Sequence, residues 1–208
     1  MTALQKFQES RRLKPDGVIG PVTFAAFCTA YDLTAAQAAH FLAQCHHESA
    51  GFTVLSENLN YSAERLLAIW PNRYDTELAL KHERKPSAIA NHVYGGRMGN
   101  VEPNDGWRFR GRGPLQLTGR SNYRRFSESL NLPAIVEDPD LVATKYAFSS
   151  AIWFFRANNI FDLCADIRPE TVLKVSRAIN LGNANSTKKP NGLADREKQT
   201  IFYSKFIT

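Results

Sequence analysis

Apolar positions along this chain recur mostly at helical spacing. Ala38, Phe41, Leu42 and Cys45 fall at i, i+3, i+4 and i+7, which is one face of a helix. Ahead of them Thr34-Ala35-Ala36-Gln37 has the S/T-x-x-E/Q form, in which two side chains cap each other's backbone N–H groups. The Ala-rich run favours the same helix, and Gly51 marks its expected end. Before it, residues 4–27 read as two short amphipathic pieces around the turn Pro15-Asp16-Gly17, with Gly20-Pro21 following and Thr23 as the cap of Phe24-Ala25-Ala26-Phe27. Residues 61–93 look helical but polar, with Lys81-His82-Glu83-Arg84-Lys85 on exposed faces.

From Tyr94 to Gly119 the pattern breaks. Glycines stand at 95, 96, 99, 106, 111, 113 and 119, and Asn104-Asp105-Gly106 is a turn signal. Trp107-Arg108-Phe109-Arg110 alternates with period two and predicts a short strand. Asp138-Pro139 reads as a cap and first-turn proline opening the longest apolar helix, to about Asn159. Another helix is predicted over Thr171 to Ile179, then a polar loop over 181–191, then an amphipathic helix to Phe206. The prediction is a mainly α protein with one small β element.

Composition narrows this picture without naming a ligand. The chain has 208 residues, 43% of them apolar, enough to bury a core. Lys plus Arg number 26 against 20 Asp plus Glu, a formal charge of +6 that suits a polyanionic partner such as nucleic acid or an acidic polymer. No apolar run approaches the roughly 18–20 residues of a membrane helix, so no stable membrane insertion is expected. The first residues show no apolar stretch behind a basic start, so cytosolic synthesis without a signal peptide is expected. Cys28, Cys45 and Cys164 lack metal-finger or CxxC spacing and read as reduced, mostly buried thiols.

Glu48 stands three residues after Cys45 and seven after Phe41, along the apolar stripe. Lost hydration and a helix C-terminus there both favour a protonated carboxyl, which suits a general acid. The same spacing also suits a Glu paired with a basic neighbour. Glu57 follows nine positions later in Ser56-Glu57-Asn58-Leu59-Asn60-Tyr61. Alone it reads as a surface carboxylate; with Glu48 it offers the acid and base of glycoside hydrolysis. In Arg110-Gly111-Arg112-Gly113-Pro114-Leu115-Gln116-Leu117-Thr118-Gly119-Arg120-Ser121-Asn122, the glycines allow close backbone approach to a ligand. Gln116, Thr118 and Asn122 supply polar groups for sugar hydroxyls, amides or a water.

His46-His47-Glu48-Ser49-Ala50-Gly51, Glu57-Asn58-Leu59-Asn60-Tyr61-Ser62 and Gly111-Arg112-Gly113-Pro114-Leu115-Gln116-Leu117-Thr118 resemble the chitinase class I-like domain of glycoside hydrolase family 19, in particular its bacteriophage endolysin branch. The resemblance runs from about Leu33 to Phe206 and implies a lysozyme-like, two-lobed fold with the small β element beside a deep substrate cleft. It implies inverting hydrolysis of β-1,4-linked N-acetylated sugars with no cofactor. Matched by motif, Glu48 is the general acid, Glu57 the general base and Thr118 the hydroxyl that holds the attacking water. Gln116, Asn122, Tyr61, Trp107, Asn180 and Arg196 are the implied substrate-binding set, with Arg196 matched to a basic residue that orients the base.

Residues 1–32 then form a short helical segment resembling a truncated peptidoglycan-binding module, through Asp16-Gly17-Val18-Ile19-Gly20-Pro21-Val22-Thr23. Residues 33–208 form the catalytic domain, with 63–93 a small helical lobe. His46-His47-Glu48 lacks the HExxH pattern and a third ligand, so no metal is expected. Arg108, Arg110, Arg112, Arg120, Arg124 and Arg125, interleaved with Trp107, Phe109 and Tyr123, suit an anionic glycan better than nucleic acid. The expectation is a monomeric endolysin acting on bacterial peptidoglycan. It waits in the host cytoplasm until a separate holin gives it access to the periplasm and wall. A chitinase or a lytic transglycosylase is the alternative.

Overall fold

The computed structural model describes residues 1–207 and is mainly helical, as the spacing predicts. Its contacts divide the chain into two compact bodies. The first is Met1–Leu55 with Gly113–Leu115 and the chain from Ala143 onward; the second is Ser56–Arg112 with Gln116–Val142.

The first body opens with α1 (Ala3–Ser10), α2 (Pro21–Tyr31) and α3 (Ala35–Glu48). The capping box ahead of α3 forms as read: the Thr34 hydroxyl accepts from Gln37 N–H at 3.2 Å, and Gln37 Oε1 accepts from Thr34 N–H at 2.9 Å. Thr23 is not a cap. Gly20 and Pro21 start α2, and the Thr23 hydroxyl donates to the Val18 carbonyl instead. Gln8, 1% exposed, fixes the Asp16–Val18 turn by donating to Asp16 Oδ1 and the Val18 carbonyl and accepting from Gly17 N–H.

The second body carries α4 (Ala63–Ile69), α5 (Thr76–His82), α6 (Pro86–Tyr94), α7 (Asp105–Arg108), α8 (Arg120–Leu130) and α9 (Ala134–Glu137). Its core is Leu59, Leu66, Tyr74, Ala79, Ile89 and Val93. The strand predicted over 107–110 is not there: its first half is the short helix α7. Asp105 decides this by accepting from Glu102 N–H and, through both oxygens, from Arg120 at 2.8 and 2.6 Å. Asn91 also takes the Trp107 N–H, so that N–H cannot join a ladder. The β element among the described residues reduces to two isolated bridges, Ser56 with Arg112 and Arg112 with Leu117.

Asp138-Pro139 does not open a long helix either. Pro139–Ala143 is a 3₁₀ turn, with Asp140 held by Arg112 Nε at 2.7 Å, and the apolar helix α10 runs only from Ala147 to Ala157. The first body then closes with a 3₁₀ turn at Ile160–Leu163, α11 (Pro169–Leu181) and α12 (Leu193–Ser204). Its core is aromatic. Phe7 of α1 stacks on Phe27 of α2 at 3.9 Å, Phe27 meets Phe148 of α10 edge-on at 4.9 Å, and Phe41 of α3 meets Phe155 at 5.4 Å. Helices α1 and α2 therefore share one core with α3 and α10.

One core group makes stability depend on pH. His40 of α3 is fully buried, its Nε2 sits 2.7 Å from the Asp166 carbonyl, and its Nδ1 has no partner. Burial lowers its pKa below 6.5, against the opposing pull of Asp166. A group lowered in this way binds its proton more weakly when folded, so its contribution is complete above 6.5 and is lost as pH falls toward the folded value. The thermal midpoint is expected to fall between pH 7 and 5. The slope should be shallower in His40→Gln, with a remainder from His46, which burial also lowers. Calorimetry at several pH values tests this.

Candidate active site

Glu48 is the last residue of α3 and belongs to the first body. The sequence predicts a dehydrated carboxyl there. Of that reading and the other, a Glu paired with a basic neighbour, the structure shows the second, with 27% of its side chain exposed and one oxygen taken by the Arg196 guanidinium. Arg196 of α12 is 1% exposed and spends its remaining donors on Gln44 Oε1 and, at 3.0 Å, the Asn191 carbonyl. Gln44, one turn before Glu48, in turn donates to Ser176 Oγ of α11 at 3.2 Å. Asn180 receives the Asn191 N–H at 2.9 Å, which fastens the end of the polar loop to α11.

Arg196 thus differs from its expected place: its guanidinium is on the acid candidate, and its burial leaves it no surface for sugar. A second contact holds the same helix ends together. His47 Nδ1 lies 2.7 Å from Asp195 Oδ2, and that hydrogen bond, ahead of opposing burial, lowers the Asp195 pKa. Gly192 (φ 67°) lies so close to His47 that a β-carbon would stand 2.0 Å from the ring.

Glu57 belongs to the second body and lies beside the Ser56–Arg112 bridge, where its N–H donates to the Gly111 carbonyl at 2.9 Å. Its carboxylate is held at both oxygens. Tyr94 Oη donates to Oε1 at 2.6 Å, and Gly111 N–H donates to Oε2 at 3.3 Å. Gly111 is the feature on which the polar groups converge. The place a β-carbon would occupy is 2.6 Å from Gln116 Oε1, 3.3 Å from Thr118 Oγ1 and 3.4 Å from Glu57 Oε2. Thr118 Oγ1 donates to the Gln116 carbonyl at 2.7 Å, and Asn122 Nδ2 donates to the Thr118 carbonyl at 2.8 Å, so one short segment sets all three. Gln116, Thr118 and Asn122 are therefore brought together with Glu57.

The aromatic pair of the expected set lies in the second body as well. Tyr61 packs edge-on to Trp70 at 5.6 Å, and both Tyr61 and Trp107 lean on the Leu59–Ile89 core. The Arg110 guanidinium covers one face of Trp107 at 3.8 Å, so only what remains of that ring can meet a sugar. Sequence reasoning missed Tyr94. It sits 37 positions from Glu57, at the end of α6, and reads as one more apolar residue of a helix face.

Gly111→Ala tests the convergence. The nearest atom, Gln116 Oε1, ends a flexible side chain and can move, so the thermal midpoint should change little. A methyl group in that space displaces the Gln116 amide oxygen and presses on the Thr118 hydroxyl, and a fall in kcat of roughly 10-fold is expected. Unchanged kinetics would show that the space takes no part in turnover.

A family profile described as chitinase class I matches residues 17–165. A glycosyl hydrolase family 19 domain-containing protein of Haemophilus influenzae is 40% identical over 151 residues, spanning 70% of this chain and 71% of its own. Acidic endochitinase Q of Nicotiana tabacum is 38% identical over 77 residues, 36% of this chain and 30% of the plant enzyme. Among solved structures, chitinase C from Streptomyces griseus aligns with 99% of this chain and 68% of its own at 18% identity and a TM-score of 0.46.

Proposed function

Since this chain belongs to glycoside hydrolase family 19, the chitinase class I family, we propose that it hydrolyses the β-1,4 bonds of bacterial peptidoglycan by inverting acid/base catalysis. Glu48 protonates the departing glycosidic oxygen. Glu57 takes a proton from a water held by Thr118 and Gln116, and that water adds to the anomeric carbon. The observation that carries the reading is the Glu57 carboxylate held at both oxygens by Tyr94 and Gly111, with the Gln116 and Thr118 side-chain oxygens gathered beside Oε2 at Gly111. The formal charge of +6 supports an acidic wall polymer as substrate.

Chitin is the second reading, favoured by the 38% identity to a plant endochitinase. Purified sacculi and chitin oligomers offered side by side decide between them. Reducing ends released from sacculi, in products heavier by one water, support the proposal. Release from chitin oligomers alone overturns its substrate, and anhydro-sugar products overturn its chemistry in favour of a transglycosylase. Proton NMR of fresh product should show the inverted, α anomer.

On the resemblance to phage endolysins, we propose that the activity serves host lysis, with a holin opening the route to the wall. Expression in the bacterial cytoplasm should then lyse cells only once the inner membrane is permeabilised. Lysis without permeabilisation would contradict that route.

A further inference from the structure

We propose that Tyr94 is a positioning residue for Glu57: its phenol ties up Oε1 and thereby leaves Oε2 as the oxygen that takes the proton from the attacking water. This rests on Glu57 being the base.

Three observations meet here. The Tyr94 hydroxyl donates to Oε1 at 2.6 Å, the length of a strong hydrogen bond to a charged acceptor. Oε2 is the oxygen that faces the Gln116 and Thr118 oxygens over Gly111, and its partner is the longer 3.3 Å bond from Gly111 N–H. The two carboxylate oxygens are therefore unequal, one fixed by a short bond from a side chain and the other directed to the polar cluster. Burial first, then the hydrogen bond to Glu57, push the Tyr94 pKa well above 10, so the phenol keeps its proton and can only donate to a carboxylate.

Tyr94 is itself fixed. It ends α6, and the buried side chain of Asn100 donates to its carbonyl at 3.0 Å. Asn100 Oδ1 accepts from Arg120 N–H at 2.8 Å, where α8 begins two residues after Thr118. The segment that carries the Glu57 anchor and the segment that carries Thr118 are thus joined through one amide. A carboxylate free to rotate about its last bond would present either oxygen to the water in many orientations; the phenol removes that freedom before substrate arrives.

The test is a double-mutant cycle of Tyr94→Phe and Glu57→Ala, with rates read as reducing-end release from sacculi and from chitin hexamer at high enzyme concentration. Tyr94→Phe alone is expected to lower kcat about 10- to 100-fold, the worth of one hydrogen bond to a charged group, with KM within about twofold. In the Glu57→Ala background the same change should alter the residual rate by less than about twofold, because there is no carboxylate left to position. Equal factors in both backgrounds would overturn the proposal, as would a change in KM with kcat unchanged. A thermal midpoint that collapses in Tyr94→Phe would do so too, since the hydroxyl would then serve the fold. Near-normal activity of Glu57→Ala alone is a different failure, that of Glu57 as the base.

Discussion

Glu48→Gln is expected to lower the rate of glycosidic hydrolysis by roughly 10²–10⁴-fold while leaving the protein folded. The substitution is chosen because it separates two functions of one side chain. The amide oxygen of Gln can still accept from the Arg196 guanidinium, so the contact that joins the end of α3 to α12 survives. The exchangeable carboxyl proton does not. Glu48 keeps 27% of its side chain in solvent, so an uncharged residue there meets no buried vacancy and no new desolvation. Arg196, 1% exposed, keeps its acceptor but loses its counter-charge, so the thermal midpoint should fall by a few degrees while turnover on sacculi disappears into background. Parent-like turnover would remove Glu48 from the chemistry; a lost fold would mean that its charge is structural.

Arg196→Met has the opposite signature, a large loss of stability. The guanidinium is 1% exposed and serves Glu48, Gln44 and the Asn191 carbonyl together. Removing it strands the buried Gln44 oxygen and leaves a carboxylate without its counter-charge. Breaking a buried pair in this way costs about 3–5 kcal/mol. Because Glu48 retains some water, the lower end, about 3 kcal/mol, is expected. For a chain of this size that is about 6–12 °C in thermal midpoint. Arg196→Lys should recover only part of it, since an ammonium cannot reach three acceptors with the planar fork that a guanidinium offers. Calorimetry and denaturant titration measure both. A change under 1 kcal/mol in Arg196→Met would show that the network holds without its cation.

What could be read in the sequence depended on distance along the chain. The capping box at Thr34 and the apolar stripe of α3 are local, and both appear where the spacing put them. The convergence of Gln116, Thr118 and Asn122 was legible for the same reason, since they lie within seven residues of each other. The failures have a common cause in contacts made from far away. Period-two alternation over Trp107–Arg110 predicted a strand, but Asp105 captured by Arg120 and the Trp107 N–H captured by Asn91 wound the segment into α7. Asp138-Pro139 looked like a helix start until Arg112, 28 residues back, pulled Asp140 into a 3₁₀ turn. The environment of Glu48 was illegible because its partner lies 148 residues away, and a lone Arg in a late amphipathic helix carries no mark of what it will meet. Tyr94 escaped because a half-buried tyrosine at a helix end has the same pattern whether its hydroxyl is idle or bonded.

That separation of 148 residues also sets a schedule. On a ribosome adding about 5–20 residues per second, Glu48 emerges on the order of 10–30 s before Arg196 exists. Over that interval α3 can form from its own caps, but the carboxylate at its end has no guanidinium, and Gln44 has no donor to share. The nascent chain therefore carries this carboxylate unpaired through most of its synthesis, and the last helix supplies its partner. Truncated or stalled products that lack α12 would leave the Glu48 carboxylate and the Gln44 side-chain oxygen without the guanidinium they share.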